Sequence, residues 1–308
     1  MELLDFAKSV AREPEKKLIL LDGVCYETAS VAREMGLKVR KMKTVFPSST
    51  APAVTSIATL KDPFEHGVIE WSTYVPEIDC IIEPLLFRTL NGRTLKGVKI
   101  FEGESWLRGR ETYTHWSYAN SEYTKLVFGD AKPFVTFAEL CYHLSKCEGF
   151  AFAYVEFPDL ISHIHADESV EAEVENSIRL LLENDVEAIV FSDHGQVRVD
   201  EVIYLDFAAK LLKRDSEGNP VAYGGPRVMF MKSEKPDELA ALLDKRVGDR
   251  VEVAFCEELD IPKKFCDVVV LPKDGCAVWL RSRKELKLKT AHGGMSKEEM
   301  NVPVIYVQ

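Results

Sequence analysis

The stretch Ala291-His292-Gly293-Gly294-Met295-Ser296-Lys297-Glu298-Glu299-Met300, followed by Val302-Pro303-Val304, puts a histidine on a glycine turn, then a helix start, then an apolar run that reads as a final strand. Ser296 and Glu299 have the S-x-x-E spacing of a capping box, and the paired glycines allow the backbone at His292 to approach another group closely. One such histidine carries little. Three other places repeat the pattern: Asp22-Gly23 after Leu18-Ile19-Leu20-Leu21, Asp159 with His163 after the run from Phe150 to Phe157, and Asp193-His194-Gly195 after Ala188-Ile189-Val190-Phe191. Carboxylates and imidazoles are hard and borderline metal ligands, so four apolar strands ending in them predict a metal cluster at the carboxyl edge of a sheet.

The elements that would position these residues alternate along the chain. A strand at 18–21 is followed by a helix at 27–35, a strand at 39–46 and a helix near 51–59. Strands at 152–157 and 188–191 flank a helix at 169–184, a βαβ unit by length. This order predicts an α/β fold, a mainly parallel central sheet with helices on both faces. Two stretches interrupt it. Residues 61–149 are rich in aromatics and arginines but weakly periodic, and residues 206–288 read as a small α+β insertion. Within the insertion, strands at 227–231 and 251–255 flank a helix at 236–245, and a hairpin turns at Asp274-Gly275. Neither stretch has a clean linker at its edges, so both are expected as elaborations of a single catalytic domain covering 1–308.

Composition narrows the classes. With 46% apolar residues and no long polar tract, all 308 residues are expected to fold around a substantial core. A net charge of −11 opposes binding to nucleic-acid polymers and acidic membranes. Met1-Glu2-Leu3-Leu4-Asp5-Phe6 has no basic segment leading into an apolar run, and no stretch reaches about 18 apolar residues. A soluble cytoplasmic protein is expected, with its oligomeric state open. The seven cysteines lack any C-x-x-C pair and read as small core residues, with a Cys256–Cys266 disulfide left open.

The ordered set Asp22, Phe46-Pro47-Ser48-Ser49-Thr50, Asp159-x3-His163, Asp193-His194-Gly195 and His292-Gly293-Gly294 resembles the two-zinc phosphodiesterase and nucleotide pyrophosphatase branch of the alkaline phosphatase superfamily. The resemblance runs from Asp22 to Pro303. Single pieces such as Asp-His-Gly are unspecific, and the weight lies in five pieces in one order. What it implies is a hydrolase that cleaves phosphodiester or pyrophosphate bonds of small nucleotide-type phosphate esters through a covalent phospho-threonine. It implies two divalent metal ions. Asp22, Asp193, His194 and the Thr50 hydroxyl would hold one, and Asp159, His163 and His292 the other. Imidazoles among the ligands favour Zn²⁺ over Mg²⁺, which prefers oxygen shells.

Ser48, Ser49 and Thr50 are consecutive, and the resemblance selects among them. In the branch the nucleophile precedes the Thr of a downstream Ala-Thr-Gly or Val-Thr-Gly by nine positions; here that Thr is Thr59, and 59 − 50 = 9. Thr50 before Ala51-Pro52 also suits the N-cap of a helix. Two departures stand out. Leu60 replaces the glycine after Thr59, which bears on the following turn. Ala53 replaces an Asn three residues after the nucleophile that would bond a phosphoryl oxygen, a loss of roughly 3 to 4 kcal/mol in comparable sites. The Ala51 backbone N–H, Thr44 and Ser48 are the candidate replacements.

Blander readings apply elsewhere. His66 and His143 read as turn or core histidines, His165 as a surface helix residue, and the aromatics of 61–149 as satellite core. A phosphomonoesterase or phosphonate hydrolase of the same superfamily is the alternative enzyme. Mutases of the superfamily need an inserted transferase domain that 308 residues do not hold, and sulfatases need a Cys or Ser nucleophile and an Arg absent from Thr50-Ala51-Pro52-Ala53-Val54. Outside the enzymes, a non-catalytic metal-binding scaffold protein remains. All seven positions are filled, which speaks for the enzyme.

Overall fold

The computed structural model describes residues 1–13, 15–166, 168–283 and 286–308. Its centre is a seven-stranded sheet in the order Lys38–Lys43, Asn301–Val307, Ala188–Phe191, Lys17–Leu21, Ala151–Val155, Thr112–His115, Lys132–Phe134. Six strands run in one direction and Asn301–Val307 alone opposes them. This is the expected mainly parallel α/β sheet. The strand Lys17–Leu21 shows why its sequence is continuously apolar: Leu18 and Leu20 join the core on one face, Ile19 and Leu21 that on the other. A parallel sheet covered on both sides needs apolar residues at both alternating positions. Helices Leu3–Val10 and Thr50–Thr59 cover the first face; Phe137–Lys146 and Ser169–Glu183 cover the second.

Several expectations shift. The strands 151–155 and 188–191 are not neighbours, because Lys17–Leu21 lies between and pairs with both. The stretch 61–149 is less irregular than its sequence reads. Residues 112–115 and 132–134 supply two strands of the central sheet, while Thr73–Val75, Cys80–Glu83 and Arg88–Thr89 form a small antiparallel sheet. Strands of two to four residues are too short to show a period.

The region 206–288 holds an antiparallel sheet of Ala222–Gly225, Val228–Met231, Val268–Pro272 and Val251–Phe255, backed by helix Pro236–Val247. The turn at Asp274 and Gly275 closes no hairpin. The strand before it pairs within this sheet, whereas Gly275–Trp279 pairs in parallel with Val197–Tyr204. A disulfide joins Cys256 to Cys266, with Cα atoms 6.1 Å apart. Among the described residues no helix is long and apolar enough to cross a membrane.

Candidate active site

Parallel strands end at one edge, so residues just past their carboxyl ends gather there. Asp22 follows Lys17–Leu21, Asp193 and His194 follow Ala188–Phe191, and the loop after Lys38–Lys43 leads to Thr50. The opposed strand Asn301–Val307 begins at the same edge, which brings His292 there from the other chain direction. Asp159 and His163 arrive differently from expectation. They lie one turn apart on the helix Phe157–Ile164 rather than at a strand end, and that spacing puts both side chains on one helix face.

Two groups of donors meet. Donor atoms of Asp22, Asp193 and His194 all lie within 4.8 Å of one another, and so do those of Asp159, His194 and His292. His163 adjoins the second group through Asp159, with Nε2 3.3 Å from Oδ2. His292 Nε2 lies 3.6 Å from Asp159 Oδ1, and its ring stacks on that of His194 with centroids 3.9 Å apart. The geometry therefore brings all six ligand candidates together, with His194 standing between the two groups. Asp22, Asp193 and His194 are buried, while Thr50, Asp159, His163 and His292 are partly exposed and form the accessible side.

Thr50 sits at the first helical position, not at the N-cap. Ser49, in extended conformation with φ −143° and ψ 156°, is the residue that flanks the helix. The Thr50 hydroxyl lies 3.0 Å from Nε2 of His194 and 3.3 Å from Oδ1 of Asp22. At the far end of the helix Leu60 takes the left-handed conformation, φ 59° and ψ 28°, that a glycine would adopt without strain.

The candidates for the missing phosphoryl donor are partly committed elsewhere. The Thr44 hydroxyl donates to the Asp193 carbonyl, and that of Ser48 donates to the Gly294 carbonyl at 2.7 Å. Ala51 lies in the first helical turn, where backbone N–H groups lack an intrahelical acceptor.

The donor set fits metal ions on several counts. Nδ1 of His194 lies 3.0 Å from the Gly195 carbonyl and Nδ1 of His163 lies 2.8 Å from the Thr290 carbonyl. Donation of Nδ1–H to those carbonyls leaves each Nε2 lone pair facing the carboxylates, as metal-ligating histidines are held. Oδ2 of Asp193 is buried without a hydrogen-bond partner. Burial, and then the neighbouring Asp22 carboxylate, push the Asp193 carboxyl well above its usual range. His194 is pushed down by burial but held up to about 10 by Asp193, Asp22 and Asp159. Burial and the His194 charge drive His292 well below the ordinary histidine value. A buried cluster this rich in carboxylate calls for cations, and divalent ions answer that need more fully than a protonated ring.

Other participants were not evident from sequence. The Tyr154 hydroxyl donates to Asp22 Oδ2, and the Gln196 amide donates to Asp159 Oδ1 at 2.6 Å. Gly23, at φ +71°, has no room for a side chain: a Cβ would lie 2.6 Å from the Gln196 amide and 2.9 Å from Asp159. Glu70 is buried beside the site, against the backbone of Gly293, and burial lifts its carboxyl to about 7. Tyr154 lies in a strand otherwise read as core, and Gln196 follows a motif already complete without it, so neither carried a signal of its own.

The histidines read as bland are so placed: His66 is buried among neutral partners, His143 is half-buried against the Tyr113 ring, and His165 is exposed. Of the aromatic set, Tyr74, Tyr113 and Tyr123 are core and Trp106 donates to the Ile57 carbonyl at 2.8 Å, whereas Trp71, Trp116 and Tyr118 are exposed and not core as expected.

The chain is similar to known proteins in one matched segment and in its fold. The family described as type I phosphodiesterase / nucleotide pyrophosphatase matches residues 30–122. An ectonucleotide pyrophosphatase/phosphodiesterase of Caenorhabditis elegans is 27% identical over 230 residues, taking in 62% of this chain; the chain covers 27% of that relative's length. The fold is similar to that of human ectonucleotide pyrophosphatase / phosphodiesterase 5, with a TM-score of 0.70 at 14% identity, covering 94% of this chain and 87% of that one. It is also similar to the murine protein of that name in an inactive threonine-to-alanine variant in complex with AMP, with a TM-score of 0.66 at 18% identity, covering 95% and 88%.

Proposed function

From a matched segment and a fold that support its place in the type I phosphodiesterase/nucleotide pyrophosphatase branch of the alkaline phosphatase superfamily, we propose that this chain is a metal-dependent hydrolase of phosphodiester or pyrophosphate bonds, with Thr50 as its nucleophile. The carrying observation is the Thr50 hydroxyl, 3.0 Å from His194 Nε2 and 3.3 Å from Asp22 Oδ1, on the accessible side of a buried carboxylate and imidazole cluster. Asp22, Asp193 and His194 would hold one ion and Asp159, His163 and His292 the other, with Zn²⁺ favoured by the three imidazoles. Bound there, the two ions supply charge neutralisation on the phosphoryl oxygens and acidify the attacking hydroxyl and water.

The chain's own part follows from where its groups point. Thr50 Oγ1 attacks phosphorus in line, the bond to the leaving alcohol or nucleoside phosphate breaks, the threonine proton ends on the departing oxygen, and the phosphoryl group is carried on Thr50. A water then attacks from the side vacated by the leaving group, the bond from Thr50 Oγ1 to phosphorus breaks, and the hydroxyl regains its proton. Tyr154 and Gln196 keep the Asp22 and Asp159 carboxylates oriented throughout. AMP, named for the murine variant, has the chemistry of the product expected from a nucleotide ester.

The test joins zinc analysis of the purified protein to a panel of bis-p-nitrophenyl phosphate, nucleotide p-nitrophenyl esters, p-nitrophenyl phosphate and phosphonoacetate. About two equivalents of zinc, turnover of the diesters and a phosphorylated Thr50 peptide are expected. His292→Ala should slow loss of the phosphoryl group from Thr50 more than its arrival. Zinc without turnover of any panel member would leave a metal-binding scaffold instead.

A further inference from the structure

The short helix Lys297–Met300 is bonded to the loops that carry His194 and His292, and one of its residues is charged and fully buried. Glu299 is 0% exposed and Arg227, from the turn between strands 222–225 and 228–231, is 2% exposed. They meet in a two-pronged ion pair, Nε to Oε1 and Nη2 to Oε2, both at 3.1 Å. A third Arg227 nitrogen, Nη1, donates to the carbonyls of Lys273 at 2.8 Å and Cys276 at 2.6 Å. The guanidinium, carried by the antiparallel sheet, is thereby clamped to the end of that sheet at Lys273 and to the strand Gly275–Trp279 at Cys276, and the fork geometry fixes the carboxylate in direction as well as distance.

Glu299 passes that fixed position on. Its Oε1 accepts the Gly294 N–H at 2.9 Å, two residues past His292. Its backbone carbonyl accepts the Gly195 N–H at 2.8 Å, next to His194. The Gly294 carbonyl in turn holds the Ser48 hydroxyl, two residues before Thr50. Three loops, each bearing a residue of the site, are thus tied to Glu299: one by its carboxylate, one by its backbone carbonyl and one through Gly294. A buried pair of this kind gains little net stability over apolar packing, so its use is geometric.

We infer that Arg227 and Glu299 are positioning residues that set the spacing of His194, His292 and Thr50, making the 206–288 sheet the platform on which the metal site is held. The inference rests on the proposed function. Neither residue touches substrate.

The test is zinc binding by the full chain, stripped with chelator and refilled, with affinity read by competition against a chromophoric chelator. Arg227→Lys keeps the charge but loses the fork; Glu299→Gln keeps an acceptor for Gly294 but loses the pair. Gly294→Ala leaves the pair's atoms in place and pushes on it, since a Cβ there would lie 2.6 Å from Glu299 Oε2. Each variant should weaken zinc by about 10- to 100-fold, and Arg227→Lys/Glu299→Gln should be no weaker than the worse single variant.

A merely structural pair would lower the unfolding midpoint and leave zinc affinity within twofold of wild type. That result overturns the inference. Where either pair variant fails to fold, Gly294→Ala alone decides by the same criterion. A wild type that takes up no zinc overturns the proposed function along with the inference, whereas normal wild-type zinc with unchanged variants overturns only the inference.

Discussion

His66 and His194 are both fully buried histidines, and they sit in opposite electrostatic worlds. His66 has neutral partners: Nε2 lies 3.0 Å from the Ser56 hydroxyl and 3.2 Å from the Pro52 carbonyl, while Nδ1 accepts the Val68 N–H at 3.1 Å. Every polar atom of its ring is satisfied without charge, and burial pushes its pKa down to about 3. His194 instead faces Asp22 at 3.1 Å and Asp193 at 3.7 Å and is held up to about 10 against the pull of burial. Burial alone therefore does not mark a functional histidine. The partners do: neutral ones make a structural ring, and a surplus of carboxylate makes a place for cations.

The largest effect that sharpens this contrast is on turnover. Thr50→Ala should lower kcat by on the order of 10⁴-fold or more while zinc stays bound, because each ion of the proposed pair would keep its three protein ligands. Ser49→Ala, one residue away, should retain most activity. His194→Gln should lose both zinc and turnover, whereas His66→Gln should leave both within a fewfold of wild type. Zinc content and kcat measured on the same preparations decide it; loss of zinc from the His66 variant would erase the distinction.

Next in size is the response to acid. His66 stays neutral in the folded chain down to about pH 3, while its ring in the unfolded chain takes up a proton below about 6.5. In that window the unfolded state binds more protons, so stability falls as pH falls and is fully present above 6.5. The span of about 3.5 pH units corresponds to a limit of about 5 kcal/mol. His66→Gln should flatten the acid limb of a denaturant-midpoint profile between pH 6.5 and 3, at the cost of about 2 kcal/mol at neutral pH from imperfectly replaced hydrogen bonds. An unchanged slope would mean that the acid limb belongs to the carboxylate cluster.

How far these environments could be read from sequence differs in the same way. Asp22, Asp193, His194 and His292 announce themselves because each follows or precedes an apolar run, and a parallel sheet must deliver such ends to one edge. Asp159 and His163 are legible as a pair by spacing, though their helix was not. Arg227, Glu299, Tyr154 and Gln196 were not legible as partners, since each depends on a contact between residues 37 to 132 positions apart that no local pattern encodes. The strands 112–115 and 132–134 were hidden by shortness, and the turn at Asp274 and Gly275 by strands that join different sheets.

The smallest expected effect concerns substrate charge, and it tests whether the accessible side of the site is as poor in cationic side chains as its sequence. A phosphomonoester brings one more negative charge to the transferred group than a diester, and enzymes that prefer it supply an arginine or a third metal near the nucleophile. Residues 45–49 and 51–58 around Thr50 contain no Lys or Arg. Arg110, in the arginine-rich stretch 61–149, packs its guanidinium 5.0 Å from the rings of both Trp106 and Phe150. Arg108, two residues earlier, is exposed, with its backbone beside Gly129. Were two zinc ions set against this acidic ligand shell, as proposed, the single charge of a diester would be the better match, and its second arm would gain contact with the walls of the site. The kcat/KM for a p-nitrophenyl diester or nucleotide ester should therefore exceed that for p-nitrophenyl phosphate by at least about tenfold, or about 1.4 kcal/mol in transition-state binding. A preference for the monoester would show that a cation reaches Thr50 from elsewhere in the chain, and would reject the diesterase reading while leaving the contrast between His66 and His194 intact.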